Sequence, residues 1–98
     1  MPGSAAPAPQ DSAQTFSTID PSLARLEDPA ALQVCLDAIG LAHGSAPVTV
    51  TGVDYARFEG RPALVVVFTD RTGGRWAWAS GPDCGVAGTD ELYSARVG

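Results

Sequence analysis

Apolar positions along this chain recur at a spacing of about 3.6 residues in its first half and of two in its second. That change separates a helical part from a sheet. Leu32, Cys35, Leu36 and Ile39 fall at i, i+3, i+4 and i+7, which is one face of an amphipathic helix. Asp28-Pro29 opens that helix, pairing an N-cap carboxylate with a proline at the first helical position. The pattern predicts a helix from Pro29 to Ile39, closed by Gly40 as its left-handed residue. Asp20-Pro21 repeats the signal and predicts a short helical turn from Ser22 to Glu27, with Leu23 and Leu26 inward.

Beyond a loop holding His43, Gly44 and Pro47, Val48 to Phe58 alternates as a strand, with Gly52 as an expected bulge. Glu59-Gly60 is a tight turn. Pro62 to Phe68 is nearly continuously apolar, as in a central strand buried on both faces. Asp70 to Gly74 reads as a hairpin loop and Arg75 to Ala79 as the third strand, with Trp76 and Trp78 on one face. A Gly/Pro loop carrying Cys84 leads to a last strand, Leu92 to Val97. The order predicts an α+β fold: one main helix packed on one face of a small, mainly antiparallel four-stranded sheet.

Residues 1–19 are rich in Ala, Pro, Ser and Gln and bury too little apolar area to order themselves. They read as a flexible tether in which Phe16 and Ile19 offer a short lead-in, and Met1 to Ser4 are compatible with a tag remnant. Residues 20–98 then form the single domain. A domain of about eighty residues buries only roughly 60–65% of its unfolded surface, so a cross-link matters to it.

Charge and cysteine usage narrow the partners and the compartment. The chain has 98 residues, a net charge of −5, no lysine, and six scattered arginines. An acidic chain with no basic patch argues against nucleic acid and anionic lipid. No run reaches the 18 apolar residues of a membrane span, and no signal peptide is visible at the start. Cys35 lies on the helix stripe and Cys84 in the loop after the Trp-rich strand. The even count, the small size and the placement on two elements that need joining favour a Cys35–Cys84 disulfide over two free buried thiols. With one histidine as a third ligand, the pair makes a poor zinc site.

Candidate chemistry is sparse. His43, the only histidine, lacks a nucleophile and an orienting carboxylate in sequence (neither Ser45 nor any Asp is placed for the role). A histidine beyond a helix end is expected to meet the last carbonyls or solvent. Asp54, Arg57 and Glu59 are expected on a solvated face, exchanging ion pairs with Arg61 or Arg75 rather than doing acid–base work. Trp76, Trp78 and Tyr93, with Arg57, are the candidate partner surface, although core packing is favoured for at least one Trp. No GxGxxG or P-loop is present, so no cofactor and no catalytic or metal residue is assigned.

Several stretches together resemble one family. Cys35-Leu36 with Gly40, Ala56-Arg57-Phe58-Glu59-Gly60-Arg61-Pro62-Ala63 running into Val65-Val66-Val67, then Gly81-Pro82-Asp83-Cys84 and Leu92-Tyr93-Ser94-Ala95-Arg96-Val97, are similar to the C-terminal extracytoplasmic domain of actinobacterial membrane-anchored anti-sigma factors and related single-span proteins. The resemblance covers about Ala30 to Val97. It implies a cytoplasmic part that holds a sigma factor, a membrane span, a Pro/Ala-rich tether, and this domain on the extracytoplasmic side. Sigma binding and membrane contact would then belong to parts missing from this chain, and no ligand or catalytic residue carries over.

The expectation is therefore a non-enzymatic sensory or interaction domain of a transcription regulator, with an unidentified protein partner or extracellular ligand. The alternatives are a self-associating module, a homodimer pairing through an edge beside the apolar strand Ala63 to Phe68, and a small secreted inhibitor or binding protein.

Overall fold

A computed structural model of the chain describes residues 19–44 and 47–98. Phe16, Met1 to Ser4 and Ser45 lie outside the described residues. A 3₁₀ helix, Pro21–Glu27, leads into helix α1, Pro29–His43. Four strands follow: β1 Thr49–Phe58, β2 Arg61–Thr69, β3 Arg75–Ser80 and β4 Glu91–Arg96. They form one antiparallel sheet in the order β1-β2-β3-β4.

Both Asp-Pro signals act as read. The Asp20 carboxylate accepts from the Ser22 N–H at 3.0 Å, and the Asp28 carboxylate accepts from the Ala31 N–H at 3.0 Å. Each satisfies a helix-start donor that would otherwise be orphaned. The end of α1 differs from expectation. Gly40 is buried within the helix, which runs on to His43, and Gly44 is the left-handed cap at φ 85°. The Gly44 N–H bonds to the Gly40 and Leu41 carbonyls. A mid-helix glycine disfavours helix by only about 1 kcal/mol, and contacts of the extra turn outweigh it.

Glu59 and Gly60 both have positive φ, 52° and 80°. That is the pair a two-residue type I′ hairpin requires. The pairing of β1 with β2 shifts between Val50 and Gly52, at the expected irregularity.

The core lies between the helices and one face of the sheet. Leu64, Val66 and Phe68 of β2 point into it and meet Leu23, Leu26, Cys35, Ile39 and Trp78. Each fully buried aliphatic or Phe side chain contributes about 1.5–3 kcal/mol of apolar transfer. β2 is not covered on both faces, however. Val65 and Val67 on its other side remain half-buried, because the helical elements pack on one face only. Its continuous apolar run reflects a central position, not two covering layers.

Covalent and polar contacts attach the helices to the sheet. A disulfide joins Cys35 to Cys84, with Cα atoms 5.0 Å apart and both residues fully buried. The Arg25 guanidinium donates to the Cys84 carbonyl at 2.6 Å and the Pro82 carbonyl at 3.0 Å. Gly85 lets the loop pass so close that an added Cβ would lie 3.0 Å from the Cys35 nitrogen, and its φ of 90° also favours glycine. On the far side of the 3₁₀ helix, the Tyr55 hydroxyl donates to the Leu26 carbonyl at 2.7 Å.

Candidate functional site

Strand alternation assigns the candidate surface residues to different places. Across the sheet, Trp76 stands beside Phe68 and Trp78 beside Val66, so both tryptophans are on the helix side. Trp78 is only 4% exposed, packs 6.5 Å from the Phe68 ring, and belongs to the core. Its indole N–H and the Ser80 hydroxyl are buried without a hydrogen-bond partner. Arg57 is also on the helix side, where its guanidinium bonds to the Asp20 carboxylate at 3.1 Å and the Gly60 carbonyl at 2.6 Å.

Tyr93 is on the opposite, outer face, beside Ala79 and 54% exposed. Its ring stacks on Phe58, with centroids 5.4 Å apart. Phe58 and Tyr93 come from the two edge strands, and they can meet because the residues between them on that face are small. Ala63 and Ala79 are buried there although no helix covers them. The four candidates therefore do not share one surface. Only Tyr93 offers a large exposed apolar group.

The expected ion pairs of the first strand are replaced by another. Asp54 and Arg57 are three residues apart and so face opposite sides of β1. Arg57 pairs with Asp20, at the start of the 3₁₀ helix, instead of with a neighbouring strand. That contact and the bonds from the Ser22 backbone and hydroxyl hold the Asp20 carboxyl below its ordinary pKa, with the Ser22 backbone bond the largest cause.

His43 is not solvated and does not cap carbonyls. Its Nε2 lies 3.2 Å from Asp70 Oδ2, with both side chains largely buried. The imidazole packs edge-on against Trp76 and Phe68, at 4.6 and 5.2 Å between centroids. The extra turn of α1 is what brings it there. Asp70 gathers the β2–β3 loop around itself. It accepts from the Thr72 N–H and hydroxyl, the Gly74 N–H and the Trp76 indole N–H. The Thr72 hydroxyl, then His43, Gly74 and Trp76, hold its carboxyl well below the usual carboxylate range against the opposing effect of burial. The Asp-x-Thr spacing signals the local part of this network. Nothing local signals the histidine, which is 27 residues away.

The Asp70 carboxylate is thereby engaged on both of its oxygens. Among the described residues, no group of three or more His, Cys, Asp or Glu side chains gathers as a metal site. No helix among them is long and apolar enough to cross a membrane.

The chain was compared with known proteins. A family model described as the C-terminal extracellular domain of anti-sigma factor RsmA matches residues 3–97. No curated protein and no solved structure matches.

Proposed function

The chain belongs to the family of the C-terminal extracellular domain of anti-sigma factor RsmA, and from that premise we propose that it is a non-enzymatic sensory and interaction domain. It stands on the extracytoplasmic side, as a regulatory part of an anti-sigma factor. The sigma factor is the partner of a cytoplasmic part that these residues do not include. In the full protein, residues 1–19 act as the tether and residues 20–98 as the folded module.

The observation that carries this reading is the outer face of the sheet, which no helix among the described residues covers. Val65, Val67, Ala77 and Ala95 present a half-buried apolar surface beside the Phe58–Tyr93 stack. Apolar surface left partly open to solvent around an exposed aromatic such as Tyr93 supports an interaction site. The His43–Asp70 pair supports a non-catalytic role, since both side chains are largely buried and Nε2 is engaged by the carboxylate. A protein partner docking on the outer face, or leaving it, would transmit the signal through the tether.

The test is made in the full-length regulator with a sigma-dependent transcription reporter. Deleting residues 20–98, and separately changing Tyr93→Asp, should shift reporter output in the same direction. Unchanged output from both variants at normal protein levels would refute the proposal.

Self-association is a second reading, favoured by the same apolar face. The strand Ala63 to Phe68 lies within β2, which is paired with β1 and β3, so the edge beside it that could serve a homodimer is that of β1. Sedimentation over a range of concentrations separates a monomeric binding module from a homodimer.

A further inference from the structure

On a different side of the molecule, the edge of the core stripe of α1 continues into an exposed one, with Leu36 and Gly40 shared between the two. Gln33, Leu36, Asp37, Gly40 and Leu41 fall at i, i+3, i+4, i+7 and i+8. This stripe overhangs the N-terminal end of β1, and Val48 and Val50 face it. Between them lies an open groove of about 420 Å³. That volume falls in the range of roughly 300–1,000 Å³ typical of ligand sites.

Three features identify what fits. First, β1 is an edge strand, bonded among the described residues to β2 alone, and Val48 and Val50 at its start line the groove, so an unpaired row of backbone N–H and C=O groups adjoins it. A lipid chain or a compact apolar molecule cannot satisfy such a row, whereas an extended polypeptide can. Second, the lining is apolar, and it is enlarged by the missing side chain of Gly40, a residue that disfavours helix by about 1 kcal/mol relative to Ala. Leu41 stands on the lip at 74% exposure. Third, Asp37 is the only charged residue of the lining among the described residues, and it is held by Gln33, whose amide donates to it at 2.9 Å. In a chain of net charge −5, a carboxylate at the mouth selects for a cation.

We propose that the groove between α1 and the β1 edge binds an extended peptide carrying alternating apolar side chains and one Lys or Arg. The peptide lies beside β1 as an added strand. Alternate side chains enter between Leu36 and Val50, and the cation meets Asp37. The pairing irregularity between Val50 and Gly52 interrupts the edge once. It limits the ladder to short runs, so groove contacts decide the affinity and indiscriminate strand addition is discouraged. The inference goes beyond the outer-face reading and does not depend on Tyr93.

The probe is a capped synthetic nonapeptide of alternating valine and serine with a central arginine, titrated into the ¹⁵N-labelled chain. Saturable amide shifts should centre on Leu36 to Leu41 and Val48 to Val50. Asp37→Lys should weaken binding about fivefold, as expected for a rim charge pair replaced by repulsion. Leu41→Asp should weaken it about tenfold, the loss expected on removing one apolar contact. Both residues are exposed, so an unchanged melting temperature in each variant identifies a binding defect and not unfolding. The proposal is overturned by absent groove shifts at millimolar peptide, or by equal binding of a peptide with central glutamate. It is also overturned if the same amides shift on concentrating the chain alone, which indicates a second copy, or on adding phosphatidylglycerol vesicles, which indicates a lipid surface.

Discussion

Replacing both cysteines, Cys35→Ala with Cys84→Ala, should remove a large share of the stability margin of this domain. The bond spans a sequence separation of 49 residues. The loop-entropy relation for a ring of about fifty residues gives about 4 kcal/mol at 25 °C, released by the unfolded chain when the bond is absent. Two native-state effects act on that figure. Both sulfurs are fully buried, so alanine leaves small voids that add to the loss. Against this, Arg25 and the close passage of Gly85 hold the Cys84 loop on the helix without the bond, so the native geometry persists. About 4 kcal/mol is therefore the expected effect. A domain of about eighty residues has roughly 4–12 kcal/mol in total. Urea unfolding followed by the fluorescence of buried Trp78 should move to lower midpoint, with a steeper slope because the uncrosslinked unfolded chain exposes more surface. The melting temperature should fall by about 15–30 °C. A loss below about 1 kcal/mol would show that packing and Arg25 alone hold helix to sheet, and would refute the covalent staple as the main fastening.

Two further outcomes follow from the site geometry. Asp70 has a depressed native pKa, so its contribution is complete above the unfolded carboxylate value of about 3.9 and is lost as pH falls below it towards the native value. Melting temperature should thus drop on acidification below about pH 4, and Asp70→Asn should flatten that acid limb; an unchanged limb would contradict the network. Arg25→Met should destabilise the oxidised protein by about 1–2 kcal/mol through loss of two hydrogen bonds to carbonyls, and should speed reduction of the Cys35–Cys84 bond by dithiothreitol. Unchanged reduction kinetics would show that the loop is held by the bond alone.

Much of the fold was legible because it rests on short-range physics. The Asp20-Pro21 and Asp28-Pro29 starts depend on side chains that reach two or three residues along the chain. The inward set Leu64, Val66 and Phe68 follows from the period of a strand, and Glu59-Gly60 from the backbone a two-residue hairpin demands. With only two cysteines, one pairing was available. The family resemblance rested on the same local stretches.

What the amino-acid order left open was decided by how the layers pack. Gly40 and Gly44 are both plausible helix ends on local grounds, and the choice fell to Gly44 as the added turn set His43 against Asp70 across 27 residues. Arg57 found Asp20 across 37 residues instead of a strand neighbour. The sharing of Trp76, Trp78, Arg57 and Tyr93 between two faces, the bare outer surface and the groove beside α1 likewise exist only once the helix is laid on the sheet. Caps, turns and periodicity are set within one or two turns of chain and can be read from neighbours. Contacts between distant segments depend on where a rigid helix comes to rest on a twisted sheet, which no local stretch encodes by itself.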